Sequence, residues 1–220
     1  MLETLFATEV AWLDDDAVRA LSEGAVVKPW TINERTLKPE RGGIHCAQIF
    51  GPVDDLCCLC TKYRGPEHRD VTCEKCGVLV TDHTIRGGRF GHIEFAMPLK
   101  HPWSGLEIQS CLVLPAGLRE VAPERIGKKP TGLNALYVEL LKRNQAVSRC
   151  VEKHAPELLL DHERSLLQDA FDQLLGDVPK HPGRLDKLGA RIRRHLTEQG
   201  APDASPFRET LLAAGARVTV

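Results

Sequence analysis

Five of the chain's eight cysteines lie in one short segment, residues 57–76, which reads CCLCTKYRGPEHRDVTCEKC. Thiolates arranged in two close pairs are the usual ligands of a structural zinc ion. Cys73 and Cys76 form one such pair, and Gly77 directly after them can take the tight turn that points backbone amides at the sulfurs. Because four cysteines fill a tetrahedral shell and leave no position for water or substrate, the pattern predicts a structural zinc site rather than a catalytic one.

The second ligand pair must include Cys60, and spacing leaves its mate open. The more common C-x-x-C spacing favours Cys57, whereas Cys58 would give C-x-C. His68, between the two pairs, is a less favoured ligand because thiols are in excess. A redox function is also disfavoured, since a thioredoxin-like C-x-x-C lies between a strand and a helix start, and this segment resembles a ribbon turn instead.

The composition indicates a folded protein without a membrane segment. Its 220 residues, 42% hydrophobic and 27% charged, are enough for one large or two small domains. The formal net charge of -1 gives no overall attraction to nucleic acid or anionic membranes, so electrostatic binding would need local clusters. The sequence has no leader-like start and no apolar run near the roughly 20 residues of a membrane span, so we expect a cytoplasmic protein with no membrane contact.

The elements around the cysteines are predicted to be short and mostly β. Residues 14–23 (DDDAVRALSE) indicate a capped helix, because the aspartates suit the positive end of a helix dipole better than a metal site. Residues 26–103 are rich in Gly and Pro, with the β-prone pieces HCAQIF, GVLVTDHTI and HIEFAM, and residues 106–115 (LEIQSCLVLP) alternate like a strand. We predict an irregular β-ribbon module over 1–115, stapled by metal in a ribbon at about 56–80.

The second half of the sequence is predicted to be helical. Apolar residues recur every three or four positions over 132–176, with a break at Ala155–Pro156, which predicts two amphipathic helices in an antiparallel hairpin. A further short basic helix and a tail are predicted over 177–220, where AGARVTV is typical of a terminal strand. The polar loop 116–131 between these parts carries the basic residues Arg119, Arg125, Lys128 and Lys129. The predicted fold class is therefore α+β.

Several long motifs give the sequence a family resemblance. TINERTLKPERGGIHCAQIFGP, CLCTKYRGPEHRDVTCEKCGV and GHIEFAMPLKHPW follow one another as in the N-terminal clamp region, with its zinc-binding ribbon, of the bacterial RNA polymerase β′ subunit. LVLPAGLR and GLNALYVELLKRNQAVSRCVEKHAPELLLDHERSLLQDAFDQLL are similar to that family's strand before the lid and to its clamp helices. The chain is identified as a short stand-alone or truncated relative of this region.

The resemblance implies ligands and contacts that spacing leaves open. The family uses C-x-C for its first pair, so the implied zinc ligands are Cys58, Cys60, Cys73 and Cys76, with Cys57 as a spare. The loop 116–131 stands where the family has its lid, which implies contact with nucleic acid. The clamp helices dock the σ factor in the family, although an arginine of that surface is Ala146 here. The implied partner contacts are Arg143, Asn144, Glu163, Arg164 and Gln168.

Departures from the family shape the functional prediction. The catalytic loop N-A-D-F-D-G-D, which holds Mg²⁺ in the family, has no counterpart in this sequence, so we predict no catalytic residues and no polymerase activity by the chain alone. We predict a non-catalytic clamp-like module that binds one zinc ion, polymerase subunits or a σ-like factor, and DNA or RNA. The alternatives are a free-standing regulator that competes for σ and an independent zinc-ribbon nucleic-acid binder. The predicted phosphate contacts are Arg86, Arg89, Arg125, Lys128 and Lys129.

Overall fold

The computed structural model describes residues 9–102, 105–119, 130, 132–175 and 216–219. The helices are α1 (Asp15–Leu21), α2 (Ala47–Phe50), α3 (Gly132–Glu152) and α4 (Glu157–Leu175). The strands are β1 (Glu9–Trp12), β2 (Ser22–Ala25), β3 (Ile32–Asn33), β4 (Lys38–Pro39), β5 (Phe90–Lys100), β6 (Glu107–Val113) and β7 (Ala216–Thr219). The protein is therefore of mixed α and β class, with a small sheet and several helices.

The central strand of the main sheet is β5, in the order β2-β5-β6. β2 pairs with it in parallel only near its start, beside Phe90 and His92, whereas β6 runs antiparallel to it. The ladder with β6 is irregular between Glu94 and Leu99, where β5 carries extra residues. The strands predicted at HIEFAM and LEIQSCLVLP are both present.

The aspartates at the start of α1 cap this helix and attach it to the sheet. Asp14 accepts a hydrogen bond from the amide of Ala17 at 2.8 Å, which is the usual N-cap contact. Asp15 accepts hydrogen bonds from the amide of Gln109 at 3.0 Å and from the hydroxyl of Ser110 at 2.7 Å, both on β6. These contacts account for two of the three adjacent aspartates without a metal ion.

Helices α3 and α4 pack against each other and are joined by residues 153–156; we call them the helix pair. His154 has a positive φ of 50°, and the amide of Ala155 donates to the carbonyl of Cys150 at 2.9 Å, which closes the end of α3. Pro156 then precedes α4, where a missing amide is harmless. The core that the pair forms with β5 contains the buried side chains of Phe95, Tyr137, Leu140, Leu141, Val147, Leu167, Phe171 and Leu174.

Two strand predictions near the cysteines are wrong. HCAQIF forms one helical turn, α2, in which the amide of Phe50 donates to the carbonyl of Cys46 at 2.9 Å. That turn buries three apolar side chains of α2 together, which an alternating strand would have divided between two faces. GVLVTDHTI contributes only an isolated bridge between Thr72 and Leu79 and a 3₁₀ turn at His83–Gly87.

The first and last described strands pair with each other. β1 and β7 are antiparallel, with Glu9 opposite Thr219, so a strand is present in AGARVTV as predicted. The basic helix predicted within 177–220 and most of the loop 116–131 lie outside the described residues. In the described part of the chain, no helix has the length and apolar character to cross a membrane.

Candidate metal centre and partner surface

Two turns bring four cysteine sulfurs together. Cys58 and Cys60 come from the first turn and Cys73 and Cys76 from the second, and their Sγ atoms all lie within 4.8 Å of one another. The separations Cys58–Cys60 and Cys60–Cys73 are both 3.6 Å. Among the described residues, no other group of three or more metal-ligating side chains comes this close together. The cluster has the composition and compactness of a four-thiolate metal site.

The first turn points Cys58 rather than Cys57 at the cluster. Thr61 has a positive φ of 62°, and its amide donates to the carbonyl of Cys58 at 2.9 Å. The amide of Tyr63 then points at the Cys58 sulfur at 3.2 Å. Cys57 is buried, but its sulfur lies against the carbonyl of Cys58 at 3.5 Å and does not join the four thiols. Of the two alternatives that spacing leaves open, C-x-C is therefore the one that the geometry favours.

The second turn depends on Gly77. The glycine has a positive φ of 68°, and its amide donates to the carbonyl of Cys73 at 2.7 Å. A Cβ atom at this position would lie 2.0 Å from the side-chain nitrogen of Gln48. The backbone conformation therefore favours glycine here, and any larger residue would also have to displace the Gln48 side chain.

Backbone amides and burial shift the pKa values of Cys60 and Cys73 in opposite directions. Burial would raise the pKa of Cys73, but the amides of Cys76 and Lys75 donate to its sulfur, and the pKa falls to about 7. The Lys62 amide lowers the pKa of Cys60, yet burial and the neighbouring thiols outweigh it and raise that pKa to about 11. Amides that donate to a sulfur favour its thiolate, which is the form that binds metal.

One ion pair links the two turns, and a hydrogen bond attaches the first turn to β4. Lys62 from the first turn pairs with Glu74 from the second, and this hydrogen bond is the main cause that lowers the pKa of Glu74 to about 2. Lys38, on β4, donates to the carbonyl of Leu59 at 2.6 Å. His68 lies against the ring of Tyr63, at 4.8 Å between ring centres, and is not part of the thiol cluster.

The basic residues predicted to contact nucleic acid differ in their surroundings. Arg86 donates to the carbonyls of Gly51 at 2.5 Å and His45 at 3.2 Å, and burial lowers its pKa. Arg89 is mostly buried and lies 3.5 Å from the carboxylate of Glu23. The remaining three predicted contacts lie outside the described residues: Arg125, Lys128 and Lys129.

The five residues predicted to contact a partner divide into two groups. Arg143 is partly exposed and donates to Glu139, one turn earlier on α3, at 2.8 Å. One carboxylate oxygen of Glu163 is buried and accepts no hydrogen bond among the described residues. The other three side chains donate to or accept from backbone groups of β5: Asn144, Arg164 and Gln168. These three are therefore structural contacts within the chain.

Arg119 belongs to the predicted basic loop by sequence, but its side chain is buried at 1% exposure. Its guanidinium donates to the side-chain oxygen of Asn134 at 2.9 Å and to the carbonyl of Ile44. The group also lies 4.9 Å from the ring centre of Phe50 and 5.7 Å from that of Tyr137. Arg119 lies six residues beyond the end of β6 and follows two exposed residues, Gly117 and Leu118, so no local signal in the sequence indicated its burial.

The fold and the thiol cluster agree with a comparison of protein families. Residues 6–112 match the profile of a family described as RNA polymerase Rpb1, domain 1. The matched region includes the four cysteines, α1, α2 and the central strand β5. The chain thus contains a domain of the class found in the largest subunits of RNA polymerases.

Individual relatives identify the bacterial branch of this class. The β′ subunits of DNA-directed RNA polymerase from Methylococcus capsulatus and Buchnera aphidicola are 49% and 50% identical over 121 and 117 residues, or 54% and 52% of this chain. The β′ subunit of Colwellia psychrerythraea is 38% identical over 187 residues, or 81% of this chain. The chain is homologous to the N-terminal region of the bacterial β′ subunit, which confirms the motif-based prediction. The matches span 9%, 8% and 13% of the lengths of these three relatives.

Proposed function

We propose that this chain is a non-catalytic, clamp-like module of an RNA polymerase, in which one zinc ion shapes the ribbon at 56–80 and the helix pair docks a σ-like factor. The observation that carries the proposal is the cluster of four thiols, because it lies inside the region homologous to β′. In this proposal residues 1–115 form the clamp-like module and residues 116–131 the lid-like loop. Residues 132–176 form the clamp-helix-like hairpin, and residues 177–220 the basic helix and tail. Other polymerase subunits are the proposed assembly partners.

The residues of the thiol cluster fit a zinc ion. Two sulfur separations of 3.6 Å are close to the edge of about 3.8 Å expected for a tetrahedron with Zn–S distances of about 2.3 Å. The ion would be held by Cys58, Cys60, Cys73 and Cys76. Because protein ligands would fill all four positions, bound zinc would supply folding free energy and shape rather than a reactive water.

The metal content of adjacent cysteine variants tests this ligand set. Cys57 and Cys58 are neighbours, both are buried, and serine is a similar change at each, so Cys57→Ser is a matched control for Cys58→Ser. We expect about one zinc ion per chain in the wild-type protein and in Cys57→Ser, and a clear loss in Cys58→Ser, by elemental analysis. Equal loss from the two variants would contradict the proposed site.

The helix pair offers a charged surface that suits a helical partner. The exposed side of α3 carries the basic residues Lys142 and Arg149, and the exposed Lys153 directly follows the helix. The exposed side of α4 carries the acidic residues Asp161 and Asp169. The unbonded oxygen of Glu163 is buried, so it would accept a hydrogen bond from an incoming cationic side chain only after the Glu163 side chain moves outward. Opposite charges on neighbouring helices fix the register and orientation of a partner helix.

Charge reversal tests the partner surface. We expect Arg143→Glu to weaken binding to a purified bacterial primary σ factor by about tenfold or more, because it places like charge beside Glu139 and removes a cation from the surface. Arg35→Glu, the same change at an exposed site between β3 and β4, is the control. Circular dichroism verifies that both variants remain folded. If the two variants bind σ equally well, the helix pair is not the docking surface.

Nucleic acid is the second proposed partner, through the lid-like loop. Arg125, Lys128 and Lys129 would neutralise phosphates, each contributing about 0.9 to the slope of log affinity against log salt. Replacing all three with alanine should therefore lower that slope by between two and three in a titration with duplex DNA. An unchanged slope would remove the loop from the proposal. Arg86 is the weakest of the predicted contacts, because its guanidinium already binds two carbonyls.

Purification of the tagged chain from its native host separates the proposal from its alternatives. Stoichiometric recovery of a β subunit and the catalytic core supports a polymerase module. Recovery of σ without the core favours a regulator that competes for σ. Recovery of neither, together with salt-dependent DNA binding, favours an independent zinc-ribbon nucleic-acid binder.

A further inference from the structure

Strand β5 has an open edge beyond its first residues. The carbonyl of His92 accepts a hydrogen bond from the amide of Val26 at 2.7 Å, next to the short β2. Beyond that point no described strand pairs with this edge of β5. Backbone groups of Glu94, Ala96, Pro98 and Lys100 face this edge, because side chains from the helix pair form hydrogen bonds with them. An edge of this kind needs hydrogen-bond partners or it can pair with another chain.

Side-chain amides from the helix pair occupy this edge at two places. The Asn144 amide nitrogen donates to the carbonyl of Glu94 at 2.7 Å, and its oxygen accepts from the amide of Ala96 at 2.8 Å. The Gln168 oxygen accepts from the amide of Lys100 at 2.9 Å, and its nitrogen donates to the carbonyl of the same residue at 2.8 Å. Each side chain offers one donor and one acceptor, as a peptide group of a neighbouring strand would.

Pro98, between these two places, is paired with a side chain that suits it, Arg164. Pro98 has no backbone amide, so only its carbonyl needs a hydrogen bond on the open edge. Arg164, whose side chain can only donate, reaches that carbonyl at 3.3 Å. Three side chains from two helices therefore form hydrogen bonds at four edge positions of one strand.

We propose that Asn144, Arg164 and Gln168 act as a substitute strand that fixes the helix pair on the open edge of β5. They are positioning residues rather than contacts for a partner. The inference rests on the proposed docking function of the helix pair and assigns that function to side chains that face away from β5. A partner could bind these three groups only by releasing the backbone of β5, whereas Arg143 and the exposed charged side chains are accessible without that cost.

Hydrogen exchange in the zinc-loaded full chain tests the substitute strand without any partner. We expect Gln168→Leu to speed exchange of the Lys100 amide about tenfold, because that amide loses its acceptor, and to leave the Ala96 amide within about twofold. Asn144→Leu should produce the reverse pattern. Gln173→Leu, the same substitution at an exposed position of α4, is the matched control and should change neither amide. Uniform acceleration across the protein, or equal rates in Gln168→Leu and Gln173→Leu, would overturn the inference.

Exchange in the wild-type protein with purified bacterial primary σ factor tests the positioning role. If the three residues position the helix pair, the Ala96 and Lys100 amides stay slow when σ binds. If they are partner contacts, σ binding frees both amides and speeds their exchange, which would overturn the inference. Absence of σ binding would refute the proposed docking function. The exchange rates of the Ala96 and Lys100 amides in the variants without σ would still test whether the three side chains act as a substitute strand.

Discussion

Replacing Arg119 with lysine should destabilise the protein far more than its place at the edge of a basic loop suggests. Arg119 is buried at 1% exposure, and its planar guanidinium donates in two directions, to Asn134 and to the carbonyl of Ile44. The same group lies against the rings of Phe50 and Tyr137. Lysine keeps the charge but has one nitrogen, so it cannot hold both acceptors and both rings.

The expected loss follows from these contacts. A hydrogen bond to a charged group contributes about 1.5–3 kcal/mol, and a desolvated cation–π contact contributes about 2 kcal/mol. Lysine loses at least one hydrogen bond and weakens one ring contact, while a shifted ammonium can keep the other pair. We therefore expect Arg119→Lys to lower the free energy of unfolding by about 3 kcal/mol.

Urea denaturation with excess zinc, followed by circular dichroism, measures this difference. Arg35→Lys is the control, because Arg35 is exposed and surface changes of this kind fall within about 0.5 kcal/mol. If Arg119→Lys unfolds within 0.5 kcal/mol of the control, Arg119 behaves as a solvated loop residue, and the account of a buried guanidinium is refuted.

Three further predictions follow from other contacts. Phe171→Ala should cost about 4 kcal/mol of unfolding free energy. A double-mutant cycle with Phe95→Ala should give a coupling of about 1 kcal/mol, since the two rings meet edge to face at 5.4 Å. Zero coupling would contradict that contact. His154→Gly should stabilise the protein by about 1 kcal/mol in thermal unfolding, because φ is 50° there; a lower melting temperature would contradict this. Hydrogen bonds from Lys28 and then Asn33 lower the pKa of Glu40 below its ordinary 4.5, so its contribution is full above that pH and is lost below it. The stability difference between wild type and Glu40→Gln should therefore shrink on acidification from pH 6 to pH 3; a constant difference would show that Glu40 titrates normally.

The sequence predicts best what short-range chemistry determines. The turn that ends in Gly77, the N-cap at Asp14 and the helix break at Pro156 each involve neighbouring residues, and all three are present. The choice between Cys57 and Cys58 needed the family motif, because both spacings can place a sulfur near the second turn. Here the local backbone at Thr61, with its positive φ, directs Cys58 inward.

Long-range contacts limit what the sequence can predict. Arg119 binds a carbonyl 75 residues away, and Asn144 binds one 50 residues away, so no local pattern distinguishes them from solvated polar residues. An asparagine that completes a strand edge and an asparagine that awaits a partner look the same in a helical repeat. The helical turn at HCAQIF was missed for a related reason, because a single turn is too short to reveal its period.

The antiparallel pairing of β1 with β7 brings the first and last described strands together, with Glu9 opposite Thr219. A donor dye attached at position 9 and an acceptor attached at position 219 would therefore come close together only when these two strands pair. Contacts between residues so distant along the chain carry the largest loop-closure cost and form slowly. Energy transfer between the two dyes would thus report this strand pairing separately from probes of the core.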